Sequence, residues 1–119
     1  MTKAFTVVAN DMLPVVFSNI LRNAIFHNDK EEKKIWIDVK KSDGWVEVRI
    51  ADNGPGIPDE MKSKVFKEGF RGEKTGRTGL GLYLVKTLME RYGGSVHVED
   101  NVPEGSVFIL KFKECEKHA

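Results

Sequence analysis

Apolar positions along the chain follow two different periods, and the helical period is the clearer one. Between positions 12 and 27 apolar residues recur every three or four positions, which predicts an amphipathic helix. The same spacing over about 79–92 predicts a second helix, and the Gly93-Gly94 pair marks its end. Positions 59–66 predict a shorter helix between these two. Because each long helix has one apolar face, it needs an apolar layer to pack against.

The alternating period, which is typical of half-buried strands, marks the segments that would form that layer. Positions 35–39 and 46–50 alternate apolar with polar residues on either side of Ser42-Asp43-Gly44, so they predict a hairpin. The remaining predicted segments are a strand at 4–9, a solvated loop at 28–34, and a second hairpin from Val96 to Phe112 that turns at Pro103-Glu104-Gly105. The sum predicts an α/β fold: a two-layer sandwich with a mixed, mostly antiparallel sheet and helices on one face.

Size, composition and charge indicate one domain and exclude several classes of partner. The chain has 119 residues, of which 40% are hydrophobic, so positions 1–119 are expected to form a single domain with its own core. A net charge of +1 gives no general attraction to nucleic acid or to an anionic membrane. The one cysteine, Cys115, has no internal partner, which is typical of a cytoplasmic protein. No apolar run approaches the roughly 20 residues of a membrane span. We therefore expect no direct membrane contact, and an anchor of a parent protein would lie outside this chain.

Two asparagines lie on one face of the first predicted helix. Asn19 and Asn23 are four positions apart, at the edge of the apolar stripe. Because asparagine is a poor helix former, two on one face suggest amides that need a partner. One interpretation is a Mg²⁺ site, since this ion accepts carbonyl oxygens and needs only one or two protein ligands beside phosphates and water. The alternative is that both amides face solvent.

A glycine-rich turn, Asp52-Asn53-Gly54-Pro55-Gly56-Ile57-Pro58, follows the first predicted hairpin. A carboxylate at the end of a strand, here Asp52, can accept a hydrogen bond from the amino group of adenine. Gly54 and Gly56 would let a flat ring approach the backbone, because glycine has no Cβ. The alternative is an ordinary polar turn, since Asn-Gly and Pro-Gly pairs are common turn formers.

A second glycine-rich turn, Gly76-x-x-Gly79-x-Gly81, runs directly into the second long helix. Its backbone N–H groups and the helix dipole favour a phosphate group. A Rossmann turn would need a strand immediately before it, and a Walker A loop would need Gly-Lys-Ser/Thr after it; neither is present. The segment 65–72 between the turns predicts a charged flap anchored by Phe66, and the glycine- and lysine-rich stretch to position 78 predicts a mobile loop. The alternative is a solvated loop with one buried phenylalanine.

Taken in this order, these four segments resemble the N, G1, F and G2 boxes of the GHKL ATP-binding domains, the Bergerat fold. The residues within these boxes resemble those of the catalytic domain of two-component sensor histidine kinases, and the resemblance covers about residues 4–113. The resemblance implies that ATP is bound with Mg²⁺, that Asn23 is the metal ligand, and that ADP is the product. It implies three catalytic residues, Asn19, Asn23 and Arg71. The residues that it implies for nucleotide binding are Asn23, His27, Asp52, Gly54, Gly56, Ile57, Phe66, Arg71, Arg77, Thr78, Gly79, Leu80, Gly81 and Leu82.

The chain departs from the family pattern after the second asparagine of the N box. The family often has lysine and then tyrosine there, where this chain has Phe26 and His27. A lysine that would contact phosphate is therefore missing, and His27 either faces the nucleotide or lies at the surface. The lid between Gly72 and Gly79 is also short for the family. We expect the missing positive charge to come from one of three residues, Lys67, Lys74 or Arg77. Removing the charge of each in turn and comparing the ATP affinities would identify it.

The residue at position 19 separates the branches of this superfamily. Hydrolysing relatives of the gyrase, MutL and Hsp90 types, and the anti-sigma-factor serine kinases, typically carry glutamate where this chain has Asn19. An amide has no basicity and cannot be a general base, so transfer to an external nucleophile is favoured. The resemblance implies a histidine on a separate dimerisation and phosphoacceptor domain, with a response regulator further downstream, because none of the chain's own histidines (His27, His97 and His118) lies in the family's acceptor motif. The alternatives are an anti-sigma-type serine kinase and a degenerate, nucleotide-sensing regulatory module.

Overall fold

Two α-helices lie over a four-stranded sheet in the computed structural model, which describes residues 6–67 and 81–115. The predicted helix at 12–27, the helix from position 81 onward and both hairpins are confirmed. The elements in chain order are α1 (Leu13–Phe26), β1 (Ile35–Ser42), β2 (Trp45–Asp52), two short 3₁₀ helices (Asp59–Met61 and Lys64–Phe66), α2 (Gly81–Arg91), β3 (Ser95–Asp100) and β4 (Ser106–Lys113).

The strand order in the sheet is β1-β2-β4-β3, and each of these neighbouring pairs is antiparallel. β2 and β3, which α2 connects, both run antiparallel to β4 and therefore parallel to each other. Because β4 lies between them, they share no hydrogen bonds. The α/β sandwich was predicted correctly, but in the described residues the sheet has no parallel pair, so the expectation of a mixed sheet was wrong.

The core lies between the sheet and the two helices. β2 alternates strictly, so that Val46, Val48, Ile50 and Asp52 are all buried on one face. This period of two places the carboxyl group of Asp52 in line with an apolar stripe, at the end where the strand leaves the sheet. The side chains that form the core with this stripe include residues of α1 (Val16 and Ile20), α2 (Val85 and Leu88), β4 (Phe108, Leu110 and Phe112), β3 (Val98) and the second 3₁₀ helix (Val65 and Phe66).

Two predicted elements differ from those observed. Segment 59–66 is two 3₁₀ helices rather than one α-helix, since the amide of Met61 bonds to the carbonyl of Pro58, three residues back, and Lys67 bonds to Lys64 in the same way. The predicted strand at 4–9 contributes a bridge between Val7 and Glu114, and its first residues lie outside the described part. The predicted mobile loop also lies outside the described residues, apart from Lys67.

Candidate functional site

Asp52 is the last residue of β2, and its carboxylate is buried and fixed in direction. Its Oδ1 accepts hydrogen bonds from the backbone N–H of Gly54, at 2.9 Å, and from that of Ser106, at 3.2 Å. Both bonds use the same oxygen. Oδ2 is the oxygen that these two backbone donors leave for another donor.

The charge state of Asp52 is perturbed by its surroundings. Burial raises the pKa of Asp52 above its ordinary value of 3.8, and this effect outweighs the lowering by the amides of Gly54 and Ser106 and by the charge of His27. Burial of a carboxylate lowers the stability of the fold unless other groups compensate for the lost contact with water. A titratable group with a perturbed pKa in a cleft is typical of a functional site.

One wall of the site is the turn between β3 and β4, which closes on the backbone of Asp52. The side-chain amide of Asn101 donates to the backbone oxygen of Asp52 at 2.9 Å. A Cβ added at Gly105 would lie 1.8 Å from that same oxygen, so only glycine fits there. A Cβ at Gly56 would in turn lie 3.2 Å from the oxygen of Gly105. The predicted turn at 103–105 is confirmed as a turn, but its place in the site was missed, because it meets Asp52 only through long-range contacts.

A stripe of polar side chains on α1 forms a second wall. Asn19, Asn23 and His27 are spaced by four residues along or at the end of α1, so they share one face. At one end of this stripe, Oδ1 of Asn19 would lie 3.3 Å from a Cβ added at Gly81, the first residue of α2. At the other end, His27 is close enough to Asp52 for its charge to lower the pKa of that carboxyl. The stripe therefore connects two segments that the sequence predicted to form one site.

The remaining predicted site residues fall into three groups. Gly54 is buried behind Asp52, while Ile57 and Leu82 pack partly buried against the core. Phe66 is a core residue, and its ring meets that of Phe108 edge-on with the ring centres 6.1 Å apart. Five predicted contacts lie outside the described residues and stay predictions: Arg71, Arg77, Thr78, Gly79 and Leu80.

The loop after α1 was expected to be solvated, and one of its residues departs from that expectation. Asn28 is only 4% exposed, whereas Asp29 and the residues at 31–34 are exposed. Its side chain contacts the turn that follows Asp52. The sequence carried no signal for this burial, since asparagine beside a charged run is an ordinary loop residue.

The contact between Asn19 and Gly81 gives a first prediction. Gly81→Ala should leave the free energy of unfolding unchanged or raise it slightly, because alanine is the better helix former by about 0.5–1 kcal/mol. It should weaken ATP binding by roughly 3- to 10-fold, because the new methyl group displaces the Asn19 amide. Calorimetric titration with ATP and urea unfolding would check both. Lys86→Ala, an exposed change on the same helix, is the control and should alter neither; an unchanged ATP affinity in Gly81→Ala would contradict the prediction.

Sequence comparison shows to which class of ATP-binding protein this fold and this candidate site belong. Residues 9–116 match the family model of the histidine kinase-, DNA gyrase B- and HSP90-like ATPases. The chain belongs to this family. Within the family it is similar to the catalytic, ATP-binding domains of sensor histidine kinases, which confirms the resemblance and the fold class inferred from the sequence.

Two relatives illustrate the similarity at the level of sequence. A probable C4-dicarboxylate sensor kinase of Bacillus subtilis (strain 168) is 33% identical over 101 residues, which cover 82% of this chain and 19% of the relative. The sensor histidine kinase AruS of Pseudomonas aeruginosa is 35% identical over 113 residues, covering 88% of this chain and 11% of the relative. The chain thus spans a fifth or less of the length of these relatives.

Solved structures show the same similarity. The catalytic domain of the histidine kinase ThkA is 32% identical with a TM-score of 0.78, covering 89% of this chain and 70% of that one. Full-length ShkA, solved in complex with AMPPNP, is 25% identical with a TM-score of 0.82, covering 98% of this chain and 24% of that one. In residues 6–67 and 81–115, neither helix is long and apolar enough to cross a membrane.

Proposed function

We propose that this chain binds ATP between α1, the turn after Asp52 and the start of α2, with the adenine ring at Asp52. The observation that carries the proposal is the Asp52 carboxylate, which is buried with Oδ1 occupied by two backbone donors. The amino group of adenine is a neutral donor that would satisfy Oδ2 without a countercharge. Gly54 and Gly56 let the turn close against Asn28 and Gly105, and Ile57 would add an apolar edge beside the ring.

The phosphate end of the nucleotide would lie toward Asn19 and the first turn of α2. There Gly81 and Leu82 would offer backbone N–H groups and the positive end of the helix dipole, and the sequence predicts the same role for Gly79 and Leu80. Amide oxygens suit Mg²⁺, so the donor set on the α1 stripe fits this ion, and Asn23 would hold it beside the phosphates. When bound, Mg²⁺ would offset the charge of the phosphate oxygens.

The reaction proposed is transfer of the γ-phosphoryl group to a histidine on a separate dimerisation and phosphoacceptor domain. The role of this chain in that reaction is positioning and electrostatic stabilisation. Arg71 would offset charge that develops on the transferred group, and Asn19, which cannot activate water, would keep hydrolysis slow. The domain would work in the cytoplasm in a two-component pathway, and a response regulator would take the phosphoryl group from the acceptor histidine.

The metal part of the proposal is tested by titrating the chain with ATP in the presence and absence of Mg²⁺. We expect Mg²⁺ to strengthen binding, and we expect Asn23→Ala to remove that gain of roughly 10-fold while Mg²⁺-free binding persists, because the amide oxygen contacts the ion rather than the base. Arg22→Ala, an exposed neighbour on α1, should keep the full gain. A gain that survives in Asn23→Ala would show that the ion is held elsewhere.

The phosphoryl-transfer part is tested by adding the dimerisation and phosphoacceptor domain of the parent protein. We expect phosphohistidine on the added domain, detected by its acid lability, and little phosphorylation or ATP hydrolysis by this chain alone. Rapid hydrolysis without the acceptor would contradict the assignment to the kinase branch.

A regulatory module that binds nucleotide without transferring phosphate is the second candidate. One observation favours it: where the family often has a basic residue, this chain has Phe26, whose side chain is 59% exposed and carries no charge for phosphate. Nucleotide binding without any phosphohistidine on the added acceptor would support this candidate.

A further inference from the structure

Asn28 is a buried polar residue in a loop that is otherwise largely exposed, and both ends of its amide are satisfied. Its Nδ2 donates to Oδ1 of Asn53 at 2.7 Å, and its Oδ1 accepts the backbone N–H of Lys30 at 3.0 Å. A buried amide is costly unless it is fully hydrogen-bonded. Because Asp29 and the residues at 31–34 are exposed, the burial of Asn28 serves the contact with Asn53 rather than the packing of the loop.

Asn53, the partner of Asn28, directly follows Asp52 and uses both ends of its own amide as well. Its Oδ1 also accepts the backbone N–H of Lys34 at 2.9 Å, and its Nδ2 donates to the backbone oxygen of Glu32 at 3.0 Å. Three hydrogen bonds therefore tie the side chain of Asn53 to the loop at 28–34, and only the one from Asn28 comes from a buried side chain.

Asn28 also packs against Gly54. A Cβ added at Gly54 would lie 3.5 Å from Cβ and Cγ of Asn28 and 3.1 Å from Oδ1 of Asp52. The backbone N–H of Gly54 is one of the two donors that fix the Asp52 carboxylate. Asn28 thus contacts the residues on both sides of the peptide that carries this donor.

A salt bridge joins this loop to the opposite wall of the site. Nζ of Lys30 lies 2.5 Å from Oε1 of Glu104, in the turn that closes on Asp52 through Asn101 and Gly105. The loop at 28–34 therefore connects the two segments between which the Asp52 carboxylate is held. Both partners of the salt bridge are partly exposed, so its own contribution is small.

We propose that Asn28 is a positioning residue for adenine recognition, which sets the direction of the Asp52 carboxylate through Asn53 and Gly54. The proposal rests on the proposed function and adds a source for its base specificity. A carboxylate held in one direction distinguishes a 6-amino purine, which donates to it, from a 6-oxo purine, which places an acceptor there.

The test measures dissociation constants for ATP and for inosine triphosphate, which carries an oxo group where ATP has the amino group. Asn28→Asp keeps the shape of the side chain and the acceptor for Lys30, but it turns an oxygen toward Oδ1 of Asn53. We expect about 10-fold weaker ATP binding, equivalent to about 1.4 kcal/mol, little change for inosine triphosphate, and thus a lower ratio between the two. Lys33→Met, an exposed change in the same loop, is the control and should keep the wild-type ratio.

The outcomes separate this proposal from the proposed function. Wild-type protein that binds neither nucleotide, or that does not prefer ATP, would overturn both. A wild-type preference for ATP that Asn28→Asp preserves, with both nucleotides weakened equally or only the melting temperature lowered, would leave the proposed function standing and reduce Asn28 to a structural role. If Asn28→Asp does not fold, Asn28→Ser keeps an acceptor for Lys30 and loses the reach to Asn53, and the same fall in the ratio is expected for it.

Discussion

Replacing Asp52 by asparagine is expected to weaken ATP binding by roughly 100-fold while the fold keeps its stability at neutral pH or gains some. Asparagine retains an oxygen for the N–H groups of Gly54 and Ser106, so the turn and the sheet edge keep their hydrogen bonds. The atom that replaces Oδ2 becomes an N–H donor, which would face the amino donor of adenine. Calorimetric titration with ATP and urea unfolding at several pH values would measure both quantities.

The pH dependence of the same variant has a definite sign. Because the folded pKa of Asp52 lies above its ordinary value of 3.8, the folded chain holds this proton more tightly than the unfolded chain does. The contribution of Asp52 to stability is therefore full below about its ordinary pKa and is lost as the pH rises through its folded pKa. Relative to the wild type, Asp52→Asn should therefore gain unfolding free energy across this pH window, and it should keep that gain at higher pH.

A matched control and a contradicting result complete this prediction. Asp38→Asn changes an exposed carboxyl group on β1, so it should alter neither ATP affinity nor the pH profile. An Asp52→Asn protein that is unstable at neutral pH but binds ATP normally would show that the carboxylate is structural and that the base is recognised elsewhere.

Gly105→Ala is expected to cost about 2–5 kcal/mol of unfolding free energy and to abolish most ATP binding, because two penalties coincide there. The residue has φ +101°, a conformation that alanine adopts only with strain, and the added Cβ would overlap the backbone oxygen of Asp52 at 1.8 Å. To accommodate the methyl group, either the β3–β4 turn or the strand end at Asp52 has to move.

The other hairpin of the sheet provides the control for Gly105. Gly44, in the β1–β2 turn, has φ +83°, and a Cβ added to it meets no atom within 4 Å. Gly44→Ala should therefore cost only the conformational strain, about 1–2 kcal/mol, and leave ATP binding intact. Equal losses in the two variants, measured by urea unfolding, would mean that the close approach of Gly105 to Asp52 contributes nothing.

The parts of the fold that were predicted correctly are those that local spacing determines. α1 was found from the helical period, and the two hairpins were found from alternation around turn residues. The same alternation explains why Asp52 points toward the helices, since it continues the buried positions of β2. Thus the position of Asp52 in the candidate site could be predicted from the sequence, and so could the shared face of the two asparagines on α1.

The parts that were missed depend on contacts that local spacing does not encode. Asn101 and Ser106 reach Asp52 across 49 and 54 positions of the chain, and their sequence shows only a turn. Asn28 bonds to Asn53 across 25 positions of the chain, and its sequence context indicates only a loop residue. The absence of a parallel strand pair in the described sheet has the same origin, because the pairing of β2 with β4 is decided by packing rather than by either strand alone.

The polar stripe on α1 fixes a distance as well as a set of contacts. From Asn19 to His27 the helix advances eight residues, which at 1.5 Å per residue is about 12 Å along its axis. A nucleotide bound as proposed, with its base beside Asp52, would have to extend by about that length to reach the start of α2. The proposal therefore predicts that adenosine binds more weakly than ATP, because only the phosphate chain would reach the far end of the stripe.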